Sequence, residues 1–245
     1  MLDGVFGRNE IKELIIGDLV LSFAFSMALL GGLGSAVLSL GDFLYVFPIA
    51  ISATTLVFVL HELMHKFVAQ HFGAIAAFRT SMSGLAITLM TGFLGFLFGV
   101  PGATFIYTNT LTKKENGYIS LAGPLVNFVV FGIVVGAGSL LFGNFFGSLG
   151  RVLTGGLGTG PYLENALGII AYISIWLAFF NMLPVFPLDG SKVLAWSKPV
   201  YAAMIIATFA CLALLMPVGT LIVLIIIALV MVFLFSMFYK GILMH

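Results

Sequence analysis

The stretch "HELMHKFVAQHFG", residues 61–73, decides how this chain is interpreted, because it places three histidines and a glutamate inside a strongly apolar segment. His61 and His65 are four residues apart, so on a helix they lie on the same face. That spacing suits two imidazoles that bind one zinc ion, with Glu62 as the general base of an H-E-x-x-H arrangement. Ionisable groups buried in a membrane are costly and usually mark a functional path. The stretch therefore predicts a metal site on a helix.

The composition around this stretch is that of a membrane protein. The chain has 245 residues, of which 61% are hydrophobic and 8% are charged, and its mean hydropathy is +1.21. A soluble domain carries about 25% charged residues. The net charge of +1 and the lack of a basic stretch argue against a nucleic-acid partner, and the single cysteine, Cys211, excludes a disulfide framework. We expect the partners to be the lipid bilayer and other membrane proteins.

Apolar runs long enough to cross a bilayer recur along the whole chain. One crossing needs about 20 predominantly apolar helical residues. The predicted fold is therefore an all-α polytopic membrane protein with about six transmembrane helices. Their approximate ranges are 17–40, 44–72, 118–142, 166–188, 199–216 and 218–240.

Residues 73–117 do not fit this pattern. "GLAITLMTGFLGFLFGV", residues 84–100, is apolar enough for a short span, but it runs into "PGATFIYTNT", which has the glycine, proline and β-branched content of a bent strand pair. If 73–117 makes no net crossing, the lysines and arginines lie on one side of the membrane and only Arg151 lies on the other. We therefore expect a re-entrant or interfacial hairpin with short β-strands, and cytoplasmic termini. A helical hairpin that crosses twice would satisfy the same charges.

The third histidine of the stretch, His71, is not expected to bind the same metal. A histidine at the eleventh position is typical of metzincin proteases, but their pattern has a turning glycine at the eighth position, where this chain has Val68. On a continuous helix, His71 lies roughly 15 Å along the axis from His61 and about 80° around it. We expect His71 at the end of the helix, with Gly73 as the stop signal.

The third metal ligand should come from another span, because catalytic zinc sites use three protein ligands and keep one position open. Asp189 follows the fourth span in "NMLPVFPLDG", where Pro184 and Pro187 break the helix and free backbone groups that a watered cavity can satisfy. The predicted topology puts it on the same side of the midplane as the histidines. The carboxylates considered are Asp18, Asp42, Glu115, Glu164 and Asp189.

Three motifs together resemble the site-2 protease family of intramembrane zinc metalloproteases. They are "HELMH" at 61–65, "LAGPLVN" at 121–127 and "NMLPVFPLDG" at 181–190. The resemblance implies one zinc ion per chain and a zinc metalloendopeptidase that cleaves within the membrane. The ligands that it implies are His61, His65 and Asp189.

The resemblance also implies roles in catalysis and substrate binding. Glu62 would activate the zinc-bound water, and Asn181 would hold the substrate carbonyl or its oxyanion. Asn127 would line the substrate path. "GVPGATFI", residues 99–106, resembles the re-entrant strand that pairs with an unwound substrate. The residues of that strand expected to bind substrate are Gly102, Ala103 and Thr104.

The expected organisation is a single integral-membrane protease domain, residues 1–245. Its catalytic core is predicted at about 44–192, with the re-entrant segment at about 73–117, and a C-terminal helical hairpin is predicted at about 199–240. The expected location is the cell membrane, as a multi-pass protein with its active site towards the cytoplasm. The expected reaction is hydrolysis of peptide bonds within or near transmembrane segments of substrate proteins.

A transporter of ions or metals is the alternative from a different functional class. Such a protein could use His61, His65 and Asp189 along a permeation route. It would not need a glutamate at Glu62, nor a broken helix beside Asp189. A prenyl-protein type of membrane zinc peptidase would need a downstream glutamate as third ligand, which the sequence does not offer on a suitable helix.

Overall fold

The computed structural model describes residues 7, 9–34, 39–98, 101–108, 110–145, 149 and 160–216, and the pairs 218–219, 221–222, 225–226 and 229–230. Helices dominate, and a single two-stranded sheet is present in the described part of the chain. The helices are α1 (Glu10–Leu29), α2 (Leu40–Thr54), α3 (Leu60–His71), α4 (Met82–Phe93), α5 (Lys113–Phe142), α6 (Tyr162–Asn181), α7 (Asp189–Trp196) and α8 (Lys198–Leu215). The strands are β1 (Ile75–Thr80) and β2 (Gly102–Tyr107).

Four helices in the described residues are long and apolar enough to cross a membrane. The first is continuous from α2 to α3, because a π-helical turn, Thr55–Val59, joins them. The four candidate spans are Leu40–His71, Lys113–Phe142, Tyr162–Asn181 and Lys198–Leu215. The prediction of about six transmembrane helices is thus confirmed only in its coarser form, a mostly helical membrane protein with a small sheet.

The two other predicted spans have different outcomes. The span predicted at 17–40 corresponds to α1, which begins and ends earlier and is not among the four candidates. Its first turns carry charged side chains, Glu10, Lys12 and Glu13. The span predicted at 218–240 lies largely outside the described residues.

The fourth predicted span, 166–188, is shorter than expected. Its helix, α6, ends at Asn181. Pro184 has no N–H for the carbonyl of Phe180 and disfavours the helical conformation of the residue before it, so the helix cannot continue through this position. Residues 182–188 are therefore irregular, and α7 begins at Asp189.

The end of α3 is set by Gly73, as predicted. Gly73 has a φ of 77°, its N–H donates to the carbonyl of Gln70, and the N–H of Ala74 donates to the carbonyl of Ala69. This pair of bonds is a Schellman motif, which satisfies carbonyls that the end of a helix leaves without partners. The helix thus continues through Val68 to His71, as the missing glycine at position 68 indicated.

Between α3 and α5 the chain forms two antiparallel strands, so this segment begins and ends side by side. β1 and β2 are antiparallel, with Ile75 opposite Tyr107 and Thr80 opposite Gly102. Helix α4 between them has 12 residues, which gives about 18 Å, shorter than the roughly 30 Å of a hydrocarbon core. Helix α4 alone is therefore too short to cross, and no helical hairpin that could cross twice is formed in the described part of the segment. The re-entrant or interfacial placement of the segment stays a prediction.

The outer edge of β1 is closed by two carboxylates of α1. Glu10 Oε1 accepts a hydrogen bond from the N–H of Phe78 (3.1 Å), and Glu13 Oε2 accepts one from the N–H of Thr80 (2.8 Å). Glu10 also forms a buried ion pair with Lys66 of α3. Because these groups occupy the edge of β1, the edge that is left for another strand is that of β2.

Candidate metal centre and active site

Three side chains predicted as metal ligands meet in the structure. Nε2 of His61 and Nε2 of His65 are 3.0 Å apart. Oδ2 of Asp189 lies 3.4 Å from the first nitrogen and 3.1 Å from the second. All three residues are buried. Helix α3 supplies the histidines from one face, and the start of α7 supplies the carboxylate.

This geometry fits a zinc ion. Two ligands bound tetrahedrally at about 2.0–2.1 Å from zinc are themselves about 3.3 Å apart. The observed separations of 3.0, 3.1 and 3.4 Å straddle that value. Two imidazole nitrogens and one carboxylate oxygen are also a donor set that zinc accepts. The residues present could therefore hold one zinc ion.

Helix α5 contacts both imidazole rings from behind. Nδ1 of His65 lies 2.7 Å from the carbonyl oxygen of Ile119, and Nδ1 of His61 lies 3.0 Å from Nδ2 of Asn127. Partners of this kind fix the orientation and tautomer of metal-binding histidines. Both Nε2 atoms consequently face Asp189.

Asn127 lies behind His61, and its predicted role in lining the substrate path stays a prediction. Its side chain is fully buried behind His61, and its Oδ1 has no hydrogen-bond partner among the described residues. A buried amide with one unpaired oxygen is costly. That oxygen becomes useful when His61 carries its proton on Nδ1, because half a turn of the amide then presents an acceptor to this N–H.

Gly123 lets α5 approach the histidines closely. A Cβ at this position would lie 2.5 Å from Nε2 of His65 and 2.6 Å from Nε2 of His61. Any side chain here would collide with the predicted ligand atoms. The next residue, Pro124, has no N–H and so leaves the carbonyl of Ser120 without its helical donor. Ser120 lies in the wall of the adjoining cavity.

Glu62 lies beside the cluster and is held by the sheet. The hydroxyl of Thr104 in β2 donates to Oε2 of Glu62 (2.8 Å). Glu62 and the three clustered side chains line a cavity of about 50 Å³, which has room for water. Gly102, Ala103 and Thr104, the predicted substrate-binding residues, line the same cavity.

Asn181 is the last residue of α6 and also lines this cavity. Its Nδ2 donates to the carbonyl of Leu177 in its own helix (3.0 Å). To donate to a substrate oxygen, the amide would have to leave that carbonyl. The predicted role of Asn181 therefore stays a prediction.

The other polar candidates lie outside the cluster. Asp18 accepts a hydrogen bond from Thr55 (2.6 Å), and Asp42 accepts from the Ser39 hydroxyl. Glu115 belongs to the capping box that begins α5. His71 is exposed at the end of α3, where its ring contacts Phe72.

Two contributors to the centre were missed from the sequence. The carbonyl of Ile119 has no side-chain signature, and the close approach at Gly123 depends on how α5 packs against α3. The glycine and the proline of "LAGPLVN" indicated an unusual helix, but not what it contacts.

Comparisons with known proteins agree with this geometry. A family model described as peptidase family M50 matches residues 49–226, which include every residue of the cluster. A protein of Methanocaldococcus jannaschii that carries the provisional name of zinc metalloprotease MJ0611 is 34% identical over 205 residues, covering 80% of this chain and 89% of the relative. A Mycobacterium tuberculosis protein, provisionally named zinc metalloprotease Rip2, is 28% identical over 158 residues, covering 59% of this chain and 55% of the relative. No solved structure matches the chain significantly.

Proposed function

Because the chain belongs to the site-2 protease family, peptidase family M50, and is therefore a zinc metalloprotease of membranes, we propose that it hydrolyses peptide bonds within or near transmembrane segments of other membrane proteins. One observation carries the proposal: the cluster of His61, His65 and Asp189, the carboxylate of Glu62 and the edge of β2 line a single cavity. That cavity lies among helices of membrane-spanning length. The transporter alternative is not favoured, because the family is one of metalloproteases.

In this proposal His61, His65 and Asp189 hold one zinc ion per chain. When bound, zinc supplies Lewis acidity, which polarises the scissile carbonyl and makes water acidic enough to lose a proton near neutral pH. The carbonyl of Ile119 would accept the N–H at Nδ1 of His65, and the amide of Asn127, once turned so that Oδ1 faces Nδ1 of His61, would do the same for the other ring. Both imidazoles would then be in the tautomer that leaves Nε2 free to bind metal.

Glu62 is the proposed general base. Thr104 donates to its Oε2, which leaves Oε1 to accept the proton of the attacking water. The protonated carboxyl then passes this proton to the leaving amine. Asn181 would donate its amide N–H to the oxyanion of the substrate after releasing the carbonyl of Leu177.

The substrate would bind as an added strand at β2. A helical transmembrane segment hides its peptide bonds in its own hydrogen bonds, so it must unwind before hydrolysis. The N–H groups of Phe78 and Thr80 point away from β2, towards α1. In an antiparallel pair the residues opposite them, Thr104 and Gly102, also point away from the partner strand. Their backbone groups are thus directed to the open edge, where an extended substrate can bond to them.

We propose a multi-pass protein of the cell membrane with cytoplasmic termini. The ends of helices near the site carry the basic residues, among them Lys113 at the start of α5 and Lys198 at the start of α8. An excess of lysine and arginine marks the cytoplasmic side. The active site would then open towards the cytoplasm, in a single domain whose core is about residues 44–192.

The Glu62→Gln variant tests this function. The purified protein in detergent is given a panel of apolar transmembrane segments with a soluble tag at each end, and the products are located by mass spectrometry. We expect zinc content equal to that of the wild type and cleavage lowered by about 100-fold to 10,000-fold. Glu164→Gln, at the opposite end of α6 from Asn181, is the matched control and should cleave normally. Full activity of Glu62→Gln would refute the proposed mechanism.

A further inference from the structure

A second cavity lies on the other face of the β1–β2 sheet. It has a volume of about 360 Å³, within the range of about 300–1,000 Å³ that is usual for ligand pockets. Its apolar wall comes from α4, β2 and the region where α6 ends. The large side chains of this wall are Ile87, Phe98, Phe105, Phe180 and Leu183.

The alternation of β2 separates this cavity from the catalytic one. Thr104 and Ile106 line the catalytic cavity, whereas Phe105 lines the apolar cavity. Successive side chains of a strand point to opposite faces, so this division follows from the pleat. Four residues line both cavities, namely Gly102, Ala103, Pro187 and Leu188. The two cavities therefore adjoin beside the open edge of β2.

A strand added at that edge continues the same alternation. Two neighbouring residues of the substrate then face opposite sides of the sheet. If one residue beside the scissile bond faces the catalytic cavity, its neighbour across that bond faces the apolar cavity. The second cavity is thus within reach of a side chain next to the bond that is cut.

We propose that the apolar cavity is a specificity pocket for a large apolar side chain, such as that of Phe or Leu, next to the scissile bond. The inference rests on the proposed function and names the sequence preference of the same site. Burial of such a side chain against apolar walls is favourable in proportion to its apolar area, so it stabilises the bound substrate more than burial of Ala does. Substrates of this protein carry a bulky apolar residue at one defined position beside the bond.

The test uses a tagged transmembrane segment that the wild-type protein cleaves, with each residue beside the cleaved bond changed in turn to Ala, Leu or Phe. At one of the two positions, we expect kcat/KM for Phe or Leu to exceed that for Ala by at least about 10-fold. The other position should show no such preference. Equal cleavage of all segments would overturn the inference while leaving the proposed function intact. If no segment of the panel is cleaved by zinc-loaded protein, the proposed function fails, and the inference fails with it.

Variants of Ile87 then connect the preference to the cavity. Ile87→Trp should fill the cavity and lower the ratio of kcat/KM for Phe to that for Ala by at least about 10-fold. Ile87→Ala should enlarge the cavity and change the same ratio by raising kcat/KM for Phe. Ile133→Trp, on an exposed part of α5, is the matched control and should keep the wild-type ratio. An unchanged ratio in both Ile87 variants refutes the pocket. The pocket is also refuted if a lipid co-purifies with the wild type, is lost in Ile87→Trp, and the ratio stays unchanged. The cavity would then be a lipid site.

Discussion

Replacing Gly123 by alanine should weaken zinc binding while leaving the fold in place. The added Cβ would lie 2.5 Å from Nε2 of His65, whereas ordinary van der Waals contact begins at 3.4 Å. The imidazoles or α5 must therefore move apart by about 0.9 Å, and packed interiors resist such shifts. Zinc bond lengths tolerate only about 0.2 Å of error. The displacement thus exceeds what the coordination can absorb.

The expected loss of zinc affinity is at least about 100-fold, or about 2.7 kcal/mol. Overpacking costs about 1–3 kcal/mol, but alanine in a helix regains about 1 kcal/mol over glycine. The net change in the free energy of unfolding should thus stay below about 2 kcal/mol. Zinc affinity is measured by competition with a chelator, and stability is measured separately by thermal unfolding of the zinc-free protein in detergent.

The same helix offers matched controls. Gly132 and Gly136 have nothing within 4 Å of an added Cβ. Their alanine variants should keep zinc affinity within about 3-fold and should be neutral or slightly stabilising. Wild-type zinc affinity in Gly123→Ala would refute the argument that α5 must pass the histidines without a side chain.

Two further substitutions probe the supports of the site. Asn127→Leu should lower zinc affinity by about 10-fold to 100-fold, because His61 loses its partner at Nδ1. The control is Asn165→Leu, which removes another buried amide, one that bonds to Tyr45, and should leave zinc affinity unchanged. Equal losses of zinc affinity in both variants would contradict the role of Asn127 as a support of His61. Glu10→Gln should destabilise the protein by about 3–5 kcal/mol, because it removes the negative charge of a buried ion pair while the ammonium of Lys66 stays buried. Adding Lys66→Met should restore most of the melting temperature, and a double variant no more stable than Glu10→Gln would show that the ion pair is not the cause.

The sequence predicted the parts of the site that are local. The spacing of His61 and His65, the valine at position 68 and the glycine at 73 all act within one helix, so periodicity and capping rules were enough. Asp189 was one of five carboxylates considered, and the resemblance of its motif to the family is what implied it as the third ligand. The contacts of Asn127 and Gly123 with the histidines were not predictable, because they depend on where α5 packs against α3.

Helix α1 shows the same limit from another side. Hydropathy placed its start near residue 17, since Glu10 and Glu13 look unsuitable for a span. In the structure both glutamates belong to the first turn of α1. Their carboxylates form ion pairs with Lys66 and Arg79 and accept hydrogen bonds from N–H groups of β1. Their partners lie far along the chain, and no window of sequence contains both.

The lining of the catalytic cavity explains how water can be held beside apolar helices. Pro184 ends α6 early, and the irregular chain that follows lets Pro187 and Leu188 form one wall of the cavity. The opposite wall carries the buried polar groups of α3. These groups can hydrogen-bond to water, whereas a purely apolar wall could not. The adjoining apolar cavity has no such groups on its α6 side. In the proposed mechanism, water is thus favoured beside Glu62, the proposed general base, and apolar side chains of the substrate are favoured one residue away.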